Sequence, residues 1–516
     1  MLTLKDITLH AWQTKCLQRW FENGFRGIAG VATGAGKTIL GLAAVCRLSA
    51  RFPDMALKVK IIVPKVFLAN QWRDDILRIL GIGRGDVGLY HGTFKEKSDK
   101  PFMVYVLNTA RWCAARHIVR DVRAGNSVFL ICDECHHFGS PENARVFDFP
   151  PHIPPERYFA LGLSATPRGE RFEDVLVPSV GKEIYRYALE DASRDQVTSD
   201  YAIFNIAVYF SPDEEEEYSV YTEKITKLKR MLKQKHPPLF DANGWMIIQK
   251  LRILTKRRDK IGETARLLWI LYLRRKETVH AASARLTCGV ELTRLLMPDR
   301  RIILFTERIE TAEELFALLQ KNHPGKICKY HSEMPPLAKQ YSLESYRQGE
   351  KTAIVCCRAL DEGLNVPETD AGIIISMSGS PRQRVQRIGR VVRRGDAVRP
   401  KQIYYLHIPG TAESSAILPE GTETVTRDLY YDAALNRFEH PGYDELYARA
   451  LEKLSASGAS APRIENAEKQ FIKGSVRTDF LLSEKTCMNR IADAGPDERD
   501  YWIAMLLIVR TRENYD

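Results

Sequence analysis

Short apolar runs alternate with longer amphipathic stretches in the first part of the chain. Between residues 25 and 185 these runs are almost continuously apolar, and each has the length of one strand: 27–32, 59–63, 103–107, 128–132 and 158–163. Strands covered on both faces have this pattern, whereas strands with one face in water alternate apolar and polar residues. The pattern therefore predicts a parallel sheet wrapped by helices.

The same pattern returns later, in the apolar runs 302–305, 353–356, 372–376 and 403–408. The sequence thus predicts an α/β protein with two tandem parallel-sheet domains, residues 1–195 and 296–410. Residues 196–295 have a different composition and are predicted to form a mainly helical insert. It opens with a candidate strand at 201–210, and Ser211-Pro212 followed by acidic residues then starts a helix. Residues 411–516 are predicted to form a small, mainly helical C-terminal region.

Positive charge is concentrated in the insert. Residues 221–280 hold 16 Lys and Arg against five Asp and Glu, a net charge of +11, which equals the net charge of the whole chain. A surplus confined to one segment indicates a polyanionic partner, most simply nucleic acid. The alternative is that these charges only form a solvated face of a helix, as most runs of charged residues do.

The bulk composition favours a cytoplasmic protein with no membrane partner. The longest apolar runs are far shorter than a bilayer span, and the first residues lack the features of a secretory signal. The ten cysteines are mostly scattered, as expected of reduced thiols. Cys132 and Cys135 precede two histidines, but no second cysteine pair lies nearby, which argues against zinc.

A glycine-rich loop lies between an apolar run and a predicted helix. Backbone N–H groups and a helix N-terminus at such a loop bind phosphates, so Thr33, Gly34 and Gly36 are predicted to contact them. Lys37 would neutralise the β and γ oxygens of a nucleoside triphosphate, and Thr38 would bind Mg²⁺. The loop predicts ATP and Mg²⁺ as cofactors.

Two acidic residues, Asp133 and Glu134, follow the apolar run 128–132 directly. This order places both carboxylates at the carboxyl edge of the predicted sheet, where ligands of such folds bind. Asp133 would hold Mg²⁺ through water, and Glu134 would orient or deprotonate the attacking water. The alternative is an acidic pair that merely caps the strand.

Arginines recur at helical spacing in the segment 386–393. Arg387, Arg390 and Arg393 would share one helical face, and Gly389 allows a close approach to that face. They are either a basic stripe on the surface or arginine fingers that complete a nucleotide site. The phosphate loop, the acidic pair and the arginines together are the parts of a phosphoryl-transfer site.

In kind, order and spacing, these motifs resemble those of the superfamily 2 helicases and translocases, over residues 1–410. The resemblance implies that the two predicted sheets are RecA-like motor domains. It also implies roles for residues that the patterns alone leave open. Gln13 is expected to contact adenine, Arg390 and Arg393 to act as the fingers, and Gly363, Gln386 and Arg387 to line the nucleotide. His136, Ser164 and Thr166 are expected to couple hydrolysis to movement.

The resemblance also implies contacts with a nucleic-acid backbone. The residues that match the family's strand-contacting motifs are Pro64, Gln71, Thr109 and Thr306. The basic insert would add a second hold, and Lys224, Lys227 and Arg230 share one face of its first helix. A second basic group in the insert consists of Lys256, Arg257 and Arg258.

Within this superfamily, Asp-Glu-x-His at 133–136 and Ala-Thr-Pro at 165–167 resemble one branch, which includes XPB-like repair helicases, phage UvsW-like helicases and restriction-enzyme motor subunits. The resemblance implies an ATP-dependent DNA helicase or translocase that moves on or remodels duplex or branched DNA in repair, restriction or phage defence. Two alternatives stay open: an RNA helicase with the same core, and a nucleotide-switched clamp or scaffold controlled by a partner. Residues 411–516 offer a place for a partner protein to dock.

Overall fold

The computed structural model describes the following residues: 2–92, 94–169, 171–199, 201–235, 237, 244–357, 368–377, 381–392, 400–413, 426–439, 444–474, 476, 479 and 482–513. Within these ranges the chain divides into two compact units. The first comprises the residues up to 199 together with 368 and 381–392, and the second comprises the remaining residues from 201 onwards.

The first unit is built on an eight-stranded sheet. Its strands are β1 Arg26–Val31, β2 Leu57–Val63, β3 Val87–His91, β4 Phe94–Lys95, β5 Phe102–Val106, β6 Ser127–Asp133, β7 Tyr158–Ser164 and β8 Glu183–Tyr187. They lie in the order β4-β3-β5-β2-β6-β7-β1-β8, and every neighbouring pair is parallel except β3 and β4. Every residue of β5, β6 and β7 is buried, as continuous apolar runs predict.

Helices follow the strands of this sheet in the alternation that the sequence predicts. They are α1 Ala11–Glu22, α2 Lys37–Arg51, α3 Val66–Leu80, α4 Leu107–Arg123, α5 Val177–Val180 and α6 Leu189–Arg194. Helices α2, α3 and α4 each begin within a few residues of a strand's carboxyl end. Their N-termini therefore lie at the sheet edge where ligands of parallel α/β folds bind.

The second unit contains another eight-stranded sheet. Its strands are β9 Tyr201–Ala207, β10 Ile302–Thr306, β11 Ile327–Tyr330, β12 Ala353–Cys357, β13 Ala371–Ile374, β14 Lys401–His407, β15 Thr426–Asp432 and β16 Arg437–Glu439. Their order is β11-β12-β10-β13-β14-β9-β15-β16, and only β15 and β16 are antiparallel. The prediction of two parallel-sheet domains is confirmed.

The strand β9 differs from its sequence assignment. The sequence places Tyr201–Ala207 in an insert that begins at residue 196, whereas β9 is a fully buried strand of the second sheet and pairs with β14 along its whole length. The side chain of Asn205 donates a hydrogen bond to Asp428 Oδ1 at 2.8 Å, which joins β9 to β15 as well. The strand belongs to this sheet because its apolar side chains are buried there.

The remaining helices fall into three groups. Those up to β12 are α7 Pro212–Lys235, α8 Gly244–Leu254, α9 Lys260–Ala281, α10 Ser283–Leu296, α11 Ile309–Asn322 and α12 Pro336–Arg347. Helix α13, Pro381–Val391, groups with the first unit. The last group is α14 Asp444–Ala456, α15 Ala461–Gly474, α16 Glu484–Asp493 and α17 Pro496–Glu513, packed around Phe471, Trp502 and Met505.

The insert itself is a three-helix arrangement of α7, α8 and α9. Its core contains Ile225 and Leu232 from α7, Leu251 from α8, and Leu268 and Leu271 from α9. Helix α7 begins as predicted, because the Ser211 N–H donates to Glu214 Oε2 and the Glu214 N–H donates to Ser211 Oγ. The insert thus has its own apolar core and presents its basic residues outward.

A buried arginine stabilises the second unit. Arg285 is fully buried in α10, and its guanidinium forms an ion pair with Glu413. It also donates hydrogen bonds of 2.6–2.9 Å to the carbonyl oxygens of Val279, Ile375 and Leu406. These partners satisfy most of the donors of a charge that is expensive to bury.

Replacing Arg285 with Ala is therefore expected to destabilise the second unit by about 3–5 kcal/mol, since the change leaves the Glu413 charge buried without its cation. The matched control is Arg294→Ala in the same helix, where the side chain is 58% exposed and pairs with Glu291. That change should cost about 1 kcal/mol or less. Urea unfolding monitored by circular dichroism measures both, and equal losses would contradict this role for Arg285.

Two general features complete the fold. None of the helices in the described ranges is both long and apolar enough to cross a bilayer. None of the ten cysteines, all of which lie in the described ranges, forms a disulfide, and those beside the acidic pair, Cys132 and Cys135, are completely buried.

Candidate functional site

The glycine loop connects β1 to α2 in a conformation that requires glycine. Gly34 has φ +88° and Gly36 has φ +98°, a region that L side chains rarely adopt. Gly36 is the residue immediately before α2, so the first N–H groups of the helix lie at the end of the loop. Free N–H groups and the helix dipole make this end attractive to an anion.

The side chain of Gln13 hydrogen-bonds α1 to this loop. Its side chain is fully buried; Oε1 accepts a hydrogen bond from the His10 N–H at 2.9 Å, and Nε2 donates to the Gly36 carbonyl at 3.2 Å. A side chain on Gly36 would place its Cβ only 3.1 Å from Gln13 Nε2. Gln13 is therefore next to the phosphate loop, and its contact with adenine stays a prediction.

The acidic pair lies at the carboxyl end of β6, as predicted. Lys37 Nζ is 2.7 Å from Glu134 Oε1, which joins the first residue of α2 to the end of β6. Glu134 has φ +47°, an unusual value for a residue with a side chain. The structure thus brings together the predicted phosphate-binding lysine and the predicted base.

Asp133 is held by a residue that the sequence reasoning missed. Trp72, buried in α3, donates a hydrogen bond from Nε1 to Asp133 Oδ2 at 2.9 Å. The Glu134 N–H donates to the other oxygen, Oδ1, at 3.0 Å. A tryptophan directly after Gln71 was the only sequence signal. These two bonds fix the orientation of the carboxylate.

Burial and charge affect the two acids differently. Burial and the neighbouring charge of Glu134 raise the pKa of Asp133. Burial would also raise the pKa of Glu134, but the positive charges of Lys37, His136 and Arg390 outweigh it and lower that pKa to about 2. Glu134 is therefore ionised at neutral pH, as a base must be.

The loop after the acidic pair contacts the end of β7. His136 Nδ1 and Ser164 Oγ are 2.8 Å apart, within hydrogen-bonding distance. The Thr166 N–H donates to the same Ser164 oxygen at 3.1 Å. The three residues predicted to couple hydrolysis to movement therefore form one connected group, and the coupling itself stays a prediction.

Helix α13 brings the arginine segment to the phosphate loop. A Cβ on Gly389 would lie 2.5 Å from Thr33 Cβ, so only glycine lets the helix pack this closely. Gln386, Arg387 and Arg390 are all buried in this helix. Arg390 is near enough to Glu134 to lower its pKa. Two further predicted site residues, Gly363 and Arg393, lie outside the described residues.

The predicted strand contacts differ in exposure. Pro64 and Gln71 are partly exposed near the carboxyl end of β2, and Thr109, in the first turn of α4, accepts a hydrogen bond from the Gly92 N–H at 3.0 Å. Thr306 is fully buried, and its hydroxyl bonds to backbone carbonyls. Because the Thr306 hydroxyl already bonds within the protein, the predicted contact with nucleic acid would have to come from the Thr306 backbone.

The basic residues of the insert that are predicted to contact nucleic acid are exposed. On α7 these are Lys224, Lys227 and Arg230, and after α8 they are Lys256, Arg257 and Arg258. Arg257 forms an ion pair with Asp259, with Nη2 2.5 Å from Oδ2. This pair neutralises the charge of Arg257, whereas no ion pair of Lys256 or Arg258 is found among the described residues.

Comparison with known protein families identifies two matching segments. Residues 6–169 match the family described as "Type III restriction enzyme, res subunit". Residues 288–395 match the "Helicase conserved C-terminal domain". Together they contain the phosphate loop, the acidic pair and α13.

Two curated proteins are similar over most of the chain. The DNA 3'-5' translocase XPB2 of Sulfurisphaera tokodaii is 27% identical, over 76% of this chain and 80% of that protein. The DNA 3'-5' helicase XPB of Kineococcus radiotolerans is 24% identical over 75% of this chain and 58% of that protein. The chain thus spans little more than half the length of some of the relatives it matches.

A solved structure shares the fold. The helicase domain of Hef from Pyrococcus furiosus superposes with a TM-score of 0.51 at 16% identity, and the match covers 80% of this chain and 99% of that one. At this identity the likeness shows the fold alone: two RecA-like domains in tandem.

Proposed function

We propose that this chain, which belongs to the superfamily 2 helicases and translocases, couples ATP hydrolysis to movement on double-stranded or branched DNA. The observation that carries the proposal is the contact between Lys37 and Glu134, at 2.7 Å, beside an Asp133 carboxylate fixed by Trp72. This is the arrangement that phosphoryl transfer needs. The names of the similar XPB proteins favour DNA over RNA.

The residues at the loop fit ATP and Mg²⁺. Thr33 Oγ1 is buried at the loop and has no hydrogen-bond partner among the described residues. The loop N–H groups and Lys37 suit phosphate oxygens, and the Thr38 hydroxyl with the Asp133 carboxylate provides the hard oxygen donors that Mg²⁺ prefers. When bound, Mg²⁺ neutralises charge on the phosphate oxygens.

Lys37 and Glu134 have linked tasks in this proposal. When ATP binds, the Lys37 ammonium leaves its ion pair with the Glu134 carboxylate and pairs with phosphate oxygens instead. Glu134 is then free to orient the attacking water and accept its proton, while Arg390 stabilises the charge that develops on the transferred group. The Lys37–Glu134 ion pair keeps the base ionised until that exchange.

Movement would arise from the connected group at β7. His136 lies two residues after Glu134, and Ser164 bonds to both His136 and the Thr166 backbone. A change in the position of Glu134 during hydrolysis would therefore reach the segment after β7. A change in the phosphate loop would also reach α1, because Gln13 of that helix bonds to the carbonyl oxygen of Gly36 in the loop.

DNA binding in this proposal uses the phosphate backbone. Pro64, Gln71 and Thr109 of the first unit would contact phosphates, as would the backbone at Thr306 of the second unit. The basic insert would add further phosphate contacts. Such contacts carry little sequence information, so binding should be sequence-tolerant and strongly salt-dependent.

The domain ranges are part of the same proposal. Residues 1–195 and 296–410 would be the two motor domains. Residues 196–295 would form the basic insert apart from β9 and α10, since β9 lies within the second sheet and α10 packs into the core of the second unit. Residues 411–516, with their helical core around Trp502, would receive a partner protein.

Neutralising Lys256 and Arg258 together with Gln is expected to weaken DNA binding and flatten its salt dependence. Each lost phosphate contact should lower the slope of log K against log salt by about 0.9. Arg257→Gln is the comparison variant: because Arg257 is paired with Asp259, its loss should change the slope less than the loss of Lys256 or Arg258. Fluorescence anisotropy at several salt concentrations gives the slopes. An unchanged slope in the double variant would assign the cluster to solvated surface.

Steady-state ATP hydrolysis tests the proposed function. It is measured without nucleic acid and with duplex DNA, forked DNA, single-stranded DNA and RNA. We expect strong stimulation by duplex or forked DNA. Stimulation by RNA alone would support an RNA helicase, and equal rates in all conditions would support a partner-controlled switch.

A further inference from the structure

One tryptophan on the first unit is exposed. The side chain of Trp112, in α4, is 58% exposed, whereas Trp12, Trp20 and Trp72 of the same unit are at most 3% exposed. A tryptophan ring is among the largest apolar surfaces that a protein can bury, so exposing it forgoes considerable stabilisation. Single exposed apolar residues are common on protein surfaces, so the case for a ligand at Trp112 depends on the groups around it.

Two arginines lie over this ring, and a third bonds to the backbone of Trp112. Arg145 Cζ lies 4.8 Å from the ring centroid and Arg111 Cζ lies 5.5 Å from it, both at cation–π distance. Arg116 Nη2 donates a hydrogen bond to the Trp112 carbonyl at 3.1 Å. No ion pair between these arginines and a carboxylate is found in the part of the chain that the structure describes. The patch therefore combines an aromatic surface with uncompensated positive charge.

The patch lies beside a predicted strand contact. Trp112 is three residues after Thr109 in the first turns of α4, so the two side chains are neighbours on one side of the helix. Arg145 belongs to a short turn, Asn143–Phe147, that follows the Asp133-Glu134 loop. A strand that contacts Thr109 would therefore pass close to the ring.

We propose that Trp112, Arg111, Arg116 and Arg145 form a stacking platform for an unpaired base. The base would stack on the exposed part of the indole that Arg145 and Arg111 leave open, and the guanidiniums would contact the phosphates next to it. The proposal rests on the proposed DNA function and adds a preference within it. Bases inside a duplex are already stacked on both faces, so the platform selects single-stranded or forked DNA over fully paired DNA.

This chemistry favours nucleic acid over a protein partner. A protein partner that covered the ring would need several carboxylates to pair with three arginines, whereas a nucleic-acid strand supplies a phosphate and a planar base in every nucleotide. Stacking is tolerant of sequence because every base has a π face. The platform thus adds preference for structure without adding preference for sequence.

Binding of the full chain to two DNA probes tests the platform. One probe is a fork with 2-aminopurine at the first unpaired position, and the other is the fully paired duplex of the same sequence. Trp112→Ala should weaken fork binding by about tenfold, the size expected for the loss of one stacked base, and change duplex binding by about twofold at most. Trp112→Phe keeps an aromatic face and should stay within about threefold of the wild type on both probes.

Tyr341→Ala is the matched control, since Tyr341 is a 64% exposed aromatic residue of α12 with no arginine stacked on it among the described contacts. It should leave both affinities unchanged. In the wild type, 2-aminopurine fluorescence should be quenched on binding, and Trp112→Ala should lose that quenching. Thermal denaturation confirms that each variant is folded.

The possible failures are distinguishable. A wild-type chain that binds neither probe would overturn the proposed DNA function and the platform with it. A wild type that binds both probes, with Trp112→Ala losing both affinities equally or neither, would overturn the platform alone. Equal loss in Trp112→Ala and Trp112→Phe would also contradict stacking, because phenylalanine retains a ring.

Discussion

Replacing Glu134 with Gln is expected to reduce the kcat of DNA-stimulated ATP hydrolysis by about 10²–10⁴-fold, the range that general-base catalysis contributes. The amide has nearly the shape of the carboxylate, so ATP and DNA binding should remain. The amide cannot accept the proton of the attacking water, which is the role that we propose for the ionised carboxylate beside Lys37. Single-turnover hydrolysis with pre-bound ATP separates binding from chemistry.

The matched control for this change is Glu142→Gln, at an exposed glutamate a few residues later in the same connection. It should hydrolyse ATP at the wild-type rate. Near-normal turnover in Glu134→Gln would show that Glu134 is not the base. Loss of ATP binding in the same variant would instead mean that its carboxylate shapes the phosphate loop.

Replacing Arg390 with Ala is expected to lower kcat by about 10³-fold or more, as for other arginine fingers. Arg390 is buried in α13 and close enough to Glu134 to affect its pKa, so it lies near the group that we propose as the base for phosphoryl transfer. Arg390→Lys should restore little of the rate, because an ammonium cannot reproduce two parallel hydrogen bonds. ATP affinity should fall much less than kcat.

Arg384→Ala is the control for that change, since Arg384 is a partly exposed residue of the same helix. Thermal denaturation must show that the Arg390 variants are folded, because a buried side chain has been removed. A kcat within about threefold of the wild type in folded Arg390→Ala would contradict the finger assignment.

The central strands were predictable because they are buried on both faces. Such strands must be continuously apolar, so β6 and β7 stand out in the sequence. The edge strand β8 and the strand next to the other edge, β3, have exposed or half-exposed positions, and their patterns resemble those of ordinary loops. Strand β9 was assigned to the insert because its partner, β14, is distant in the sequence. The burial of a strand is visible in the local pattern of apolar residues, whereas its pairing with a strand distant in the sequence is not.

Some residues of the candidate site could also be found from local sequence patterns, and others could not. The phosphate loop and the acidic pair were found because their chemistry requires particular residue types at fixed spacing, as the φ of Gly36 shows. The bond from Trp72 to Asp133 and the packing of Gly389 on Thr33 join distant segments, so no local pattern reveals them. The exposure of Trp112 could not be predicted from the sequence either, because the fold determines whether a tryptophan is buried or exposed.

The most direct test of the central claim is displacement of a third strand from a DNA duplex. A fluorescent third strand is bound in the major groove of a duplex that extends beyond it, and the protein is added with ATP. We predict that the wild type displaces this strand only when ATP is hydrolysed, and that Glu134→Gln leaves it in place. DNA-stimulated hydrolysis without displacement would contradict movement along DNA and would favour a nucleotide-switched clamp.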